Sequence, residues 1–161
     1  MAYINKENVK QIREALKKAF PEIKFSVRKE NHSSVYVSIL KSPYDFSDLP
    51  HYREDYYTSV NHFRVPDCKH RRMLEKIITI IKTGSERTWF DKSDSMTDYF
   101  HVAFYIHLYV GHWKKGYEMI SMEEAKKTIK KKVAKKNSKK KTKGISKSKA
   151  NQLASDFISS I

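Results

Sequence analysis

Residues 101–110 read HVAFYIHLYV, and their alternation decides the fold. Val102, Phe104, Ile106, Leu108 and Val110 occupy every second position, with His101, Ala103, Tyr105, His107 and Tyr109 between them. Successive side chains of a strand point to opposite faces, so the pattern predicts a β-strand with an aliphatic face and an aromatic one. Gly111 ends the run. A strand apolar on one side and aromatic on the other fits a central position with a layer on each face. The reading adopted for Tyr105, His107 and Tyr109 is therefore a face covered by a helix. The other reading is an open face on which bases stack. The glycine-spaced aromatic signature of the common RNA-binding sheets is absent.

Working toward the N-terminus, Met73, Leu74, Ile77, Ile78 and Ile81 fall at helical spacing. Asp67 is placed to cap that helix and Gly84 to end it in a left-handed cap. Residues 51–65 fit a helix through Tyr52, Tyr56, Val60 and Phe63, and equally fit a strand. Ser42 to Pro50 is loop. Val35, Val37 and Ile39 alternate, as do Ile23, Phe25 and Val27, and Asn31-His32 between them predicts a hairpin turn. Val9, Ile12, Leu16 and Ala19 predict a first helix, capped by Asn5 and stopped by Pro21. The order α-β-β-(α or β)-α-β predicts an α+β domain built on a small antiparallel sheet.

Toward the C-terminus the composition changes. Of 33 Lys and Arg in 161 residues, thirteen Lys lie between Lys126 and Lys149, with no acid among them. Met1–Ala125 holds 20 basic and 17 acidic residues, so the net charge of +15 belongs almost wholly to the tail. Ser121 with Glu124 forms a capping box, and Ala125, Ile129 and Val133 sit four apart. The expected organisation is a globular domain over 1–120, a basic helix over 121–136, a Lys-rich flexible linker over 137–149 and a short amphipathic helix over 150–161 carrying Leu153, Phe157, Ile158 and Ile161. Such a run is either a solvated, self-repelling extension or a phosphate-binding one. Lys favours contact without base reading, since it lacks the bidentate fork of Arg.

Several chemistries find no motif. No apolar run is long enough to span a membrane, and MAYINKENVK has no signal-peptide core. The lone Cys68 excludes an internal disulfide and fits a reducing cytoplasm. The four Gly are isolated, so no phosphate cradle is formed. Cys68, His70, His101 and His107 lack metal-ligand spacing. Asp91, Asp94 and Asp98 recur in a polar loop; they are read as turn formers, with Mg²⁺ binding as the alternative. No cofactor and no metal are expected.

The opening YINKENVKQIREALKKAFPEIKFSVRKE, with its Tyr-Ile start, its IREALKKAFP helix and its KFSVR strand, resembles the small domains associated with large polyvalent proteins of phages and conjugative elements. The hairpin ENHSSVYVSIL is similar to theirs but lacks their glycines, and SDSMTDYFHVAFYIHLYVGHWKKGYE looks like their closing aromatic strand. The likeness is strongest over residues 2–40 and extends more weakly to about 117. The resemblance implies a mobile-element context and carries no catalytic residue with it.

The function expected is a non-enzymatic accessory protein of a phage or mobile element in the host cytoplasm. It would bind DNA, RNA or a host defence nucleoprotein to counter restriction or CRISPR. The contacts expected are Lys126, Lys127, Lys130, Lys131, Lys132, Lys135, Lys136, Lys139, Lys140 and Lys141, with Tyr105, His107 and Tyr109. The alternatives are a small metal-dependent nuclease or hydrolase using Asp91, Asp94, Asp98 and the strand histidines, and an architectural nucleic-acid-binding protein.

Overall fold

The computed structural model describes residues 1–53, 55–94, 96–97, 99–131 and 133. Met1–Ala125 forms one compact unit and Lys126–Ile161 a second. In the first, helix α1 (Lys6–Ala19) begins where the Asn5 side chain accepts a hydrogen bond from the Asn8 N–H at 2.6 Å, satisfying a donor that the first turn leaves free. Val9, Ile12 and Leu16 form its buried stripe. Strands β1 (Lys24–Glu30) and β2 (Ser34–Ser42) pair antiparallel as the expected hairpin. Asn31 and His32 both take positive φ at the turn, +52° and +59°.

The ambiguous stretch resolves into a short strand, β3 (Tyr57–Val60), followed by helix α2 (Arg71–Thr83). Strand β4 (Tyr105–Gly111) and the two-residue β5 (Glu118–Met119) complete a five-stranded sheet. Among the described residues, 122–131 are helical. The Ser121 hydroxyl accepts from the Glu124 N–H at 3.2 Å, and the Glu124 carboxylate accepts from the Ser121 N–H at 3.4 Å, completing the expected capping box.

The fold class is α+β, and the sheet is mixed rather than antiparallel throughout. Its order is β1-β2-β4-β3, with β5 continuing along the β4 side of β2. The β1–β2 and β3–β4 pairs are antiparallel, whereas β2–β4 and β2–β5 are parallel. The connection from β2 to β4 carries β3 and α2, long enough for the chain to return and run the same way. Alternation along a strand records which face a residue takes and nothing about its neighbour's direction, so the parallel pairs were not in the pattern.

Three local expectations need correction. The regular strand starts at Tyr105 rather than Val102. The preceding residues are held elsewhere: the Ala103 N–H donates to Phe90 and its carbonyl accepts from Tyr3. Ala103 and Phe104 are consecutive yet both fully buried. Asp67 does not cap α2, whose N-cap is His70 with no side-chain bond; the Asp67 carboxylate lies 3.8 Å from the Arg71 guanidinium. Gly84 has φ −79° and is no left-handed cap. A Cβ there would instead meet the Ile80 carbonyl and lie 3.2 Å from the Ala15 methyl, so glycine permits the close approach of α1 to α2.

One core results. Val9, Ile12 and Leu16 of α1 and Leu74, Ile77 and Ile81 of α2 share it with Val27, Val37, Ile39, Leu108 and Val110 of the sheet. All of these sheet residues lie on one face, because Val37 pairs with both Val27 and Leu108 in register.

Candidate functional site: an open aromatic sheet face

The opposite face follows from the same registers. Arg28 pairs with Tyr36, Tyr36 with His107, Ser38 with Tyr109, and Tyr109 with Ser59. Among the described residues the expected covering layer is absent: Tyr105 is 46% exposed, and Tyr36, His107 and Tyr109 are half-buried. Both described helices of the first unit's core, α1 and α2, direct their apolar stripes at the other face, which leaves this one to its own side chains.

Those side chains form a stacked row. The Tyr36 and His107 rings lie 4.3 Å apart at 19°, and His107 and Tyr109 lie 6.4 Å apart at 11°. Tyr36 and Tyr109 are 6.1 Å apart at 30°. Tyr57 meets Tyr109 edge-on at 4.9 Å, and Tyr56 stacks on Tyr57 at 4.5 Å. Offset and edge-on ring pairs are favourable beyond the area they bury, so the row is preorganised without a ligand. An open pocket of about 390 Å³ lies on it, lined by Arg28, Glu30, Tyr36, Tyr57, Tyr109 and Trp113 among others. Gly111 shapes its end with φ +92° and sits where a Cβ would strike the Tyr56 carbonyl.

Charge tunes the row. Burial pushes the His107 imidazole below its usual range, opposed by the Glu30 carboxylate. Burial also pushes the Tyr109 phenol up, helped by Tyr36, Tyr57 and Glu30. Both shifts favour the neutral forms of His107 and Tyr109, which suits stacking on flat neutral rings.

The sequence named Tyr105, His107 and Tyr109, and the structure places them together on this face. It missed Tyr36, Tyr57, Arg28 and Trp113. Tyr36 was visible as the one aromatic residue on the Ser34-Ser38 side of a strand whose other side is Val35, Val37 and Ile39. Arg28 reaches Tyr36 through the β1–β2 register, Tyr57 joins through the β3–β4 pairing, and Trp113 follows the Gly111 turn. Lys126, Lys127, Lys130 and Lys131 are exposed on the helical segment of the second unit. Lys132, Lys135, Lys136, Lys139, Lys140 and Lys141 lie outside the described residues, as do the expected linker and terminal helix.

The loop acids serve turns. Asp91 accepts from the Ser93 N–H at 2.9 Å; Asp94 accepts from the Met96 N–H at 2.9 Å and the Thr97 hydroxyl at 3.0 Å. Asp98 lies outside the described residues. His70 packs against Tyr44 and Phe46, and His101 against Phe90. Burial pushes the Cys68 thiol up, away from the reactive thiolate. Among the described residues no three His, Cys, Asp or Glu converge as metal ligands. No helix among them is long and apolar enough to cross a membrane.

A helix-backed mixed sheet with an aromatic face left open among the described residues defines a small α+β domain. The family model for large polyvalent protein associated domain 29 matches residues 3–124, and the chain belongs to that family. No curated protein and no solved structure matches it.

Proposed function

We propose that this protein is a non-enzymatic accessory factor of a phage or mobile element that binds single-stranded nucleic acid. Unpaired bases would stack on the Tyr36–His107–Tyr109 row, while the Lys-rich segment after Lys126 contacts phosphates. The observation that carries the reading is the near-parallel row of rings on an uncovered sheet face. Every base has a π-face, so such a row binds single strands with little sequence preference. The thirteen lysines supply the matching charge. Occupying a strand or a host nucleoprotein in this way would counter restriction or CRISPR; that part of the proposal is supported by the family's association with polyvalent proteins alone.

The test is fluorescence anisotropy with labelled single-stranded DNA and RNA and with duplex, for the full chain and for Tyr36→Ala and Tyr109→Ala. Removing one stacking ring should weaken single-strand binding by about five- to 100-fold. Equal affinity for duplex, or binding that is indifferent to both substitutions, would remove the face from the site. The anti-defence role is tested by the survival of incoming restricted plasmid in cells making the protein.

A further inference from the structure

The pocket on this face holds more than rings. Arg28 and Glu30 stand two residues apart on β1, on the same face, both exposed at the pocket wall. Neither side chain makes an ion pair or a hydrogen bond among the described residues. Arg28 is the cross-strand partner of Tyr36, whose other neighbour is His107. A guanidinium and a carboxylate thus flank the end of the aromatic row, with hydrogen-bonding capacity uncommitted among the described residues. Glu30 disfavours a phosphate in this corner, and Arg28 disfavours a cation. The combination suits a flat ring that presents acceptors and donors on adjacent edges.

Resting on the single-strand reading above, we infer that the Arg28–Glu30–Tyr36 corner is a subsite for one unpaired guanine. Guanine offers the O6 and N7 acceptors that an arginine fork takes bidentately, and its N1–H and N2 amino group are donors adjacent to O6 that a carboxylate accepts. Adenine lacks an acceptor at position 6. Uracil and thymine carry one ring N–H donor and no amino group. Cytosine offers an amino donor that Glu30 can take but no purine edge for Arg28.

The experiment uses the full chain and oligothymidylates that carry a single central G, A or C, labelled for anisotropy, with Trp113 fluorescence as a readout at the pocket itself. The G strand should bind about five- to 100-fold tighter than the all-T strand, the range of one good bidentate pair, and should perturb Trp113 emission most. Glu30→Gln should narrow the G-over-A ratio, because a glutamine side chain pairs with adenine. Arg28→Ala should abolish the preference, so that the variant binds the G strand and the all-T strand equally. Both residues are exposed, so the melting temperature serves as a control that each variant is folded. If all four strands bind equally, and Tyr36→Ala weakens them all, the guanine subsite is wrong while the stacking face stands. A preference for G that survives both substitutions also overturns it. If no strand binds, both readings fall together.

Discussion

At the scale of single residues, the two faces of β4 make opposite demands. Phe104, just before the strand, is fully buried, and the Trp89 indole N–H donates to its carbonyl at 2.9 Å. Phe104→Ala should cost about 3–5 kcal/mol, the range for a truncated core phenylalanine; an unshifted denaturant midpoint would show that this side is not core. For the half-buried histidines, His107 on the aromatic face and His62 beside Trp89, the relevant quantity is proton binding. Burial holds His107 and His62 below the usual 6.5 of histidine, and Lys82 depresses His62 further. Well above pH 6.5 both imidazoles are neutral, folded or unfolded, and this contribution to stability is undiminished. As pH falls through about 6.5 the unfolded chain takes up protons first, so stability declines until the folded pKa values are passed. The melting temperature should fall between about pH 7.5 and 5.5, and less so in His107→Gln. A melting temperature that rises on acidification would show the imidazoles to be stabilised as cations instead.

At the scale of elements, the helices and the hairpin were legible because each is specified locally. Asn5, the Val9-Ile12-Leu16 stripe and Pro21 suffice for α1, and the alternation at Phe25-Val27 and Val35-Val37 suffices for β1 and β2. Residues 51–65 were not legible, because a four-residue strand lies within a stretch whose aromatic spacing also fits a helix. Its β identity comes from pairing with β4 through Thr58–Val110 and Val60–Leu108, a tertiary choice. The aromatic face stayed hidden for a similar reason: alternation assigns Tyr105, His107 and Tyr109 to one side, but only the placing of α1 and α2 says that the side is bare. The hairpin turn holds its own prediction. His32 has φ +59°, a conformation that costs a residue with a side chain roughly 1–2 kcal/mol. Glycine adopts it freely, at the cost of a more mobile unfolded chain and of the His32–Lys29 side-chain contact. His32→Gly should therefore stabilise by about 0.5–1 kcal/mol, read as a higher denaturant midpoint at unchanged m-value. A lower midpoint would mean that the His32 side chain contributes more than its backbone strain costs.

At the scale of the whole molecule, the question is how a nearly neutral domain and a polycationic segment share the work. The core cluster lies wholly before residue 120, although Ala125 is also buried. A chain truncated after Ala125 should melt cooperatively, and a broad, non-cooperative transition would show that the domain needs the residues beyond Ala125 to fold. The charge of the remainder can be assigned by salt. If lysines between Lys126 and Lys149 meet phosphates, log K must fall linearly with log salt, by about 0.7 per phosphate for a single strand and about 0.9 for duplex. Thirteen lysines will not all engage together; about six contacts would give slopes near −4 and −5. Lysine at a phosphate reads no base edge, so this part of the affinity should be the same for every sequence, whereas any part due to stacking on the aromatic face should be largely unchanged by salt. Replacing Lys126, Lys127, Lys130, Lys131 and Lys132 by Gln should flatten the slope without moving the melting temperature. Tyr109→Ala should do the reverse, lowering affinity at every salt concentration with the slope preserved. Anisotropy titrations of the three proteins over a range of salt separate the two contributions. A wild-type affinity indifferent to salt would leave the lysines as a solvated extension and return all binding to the sheet.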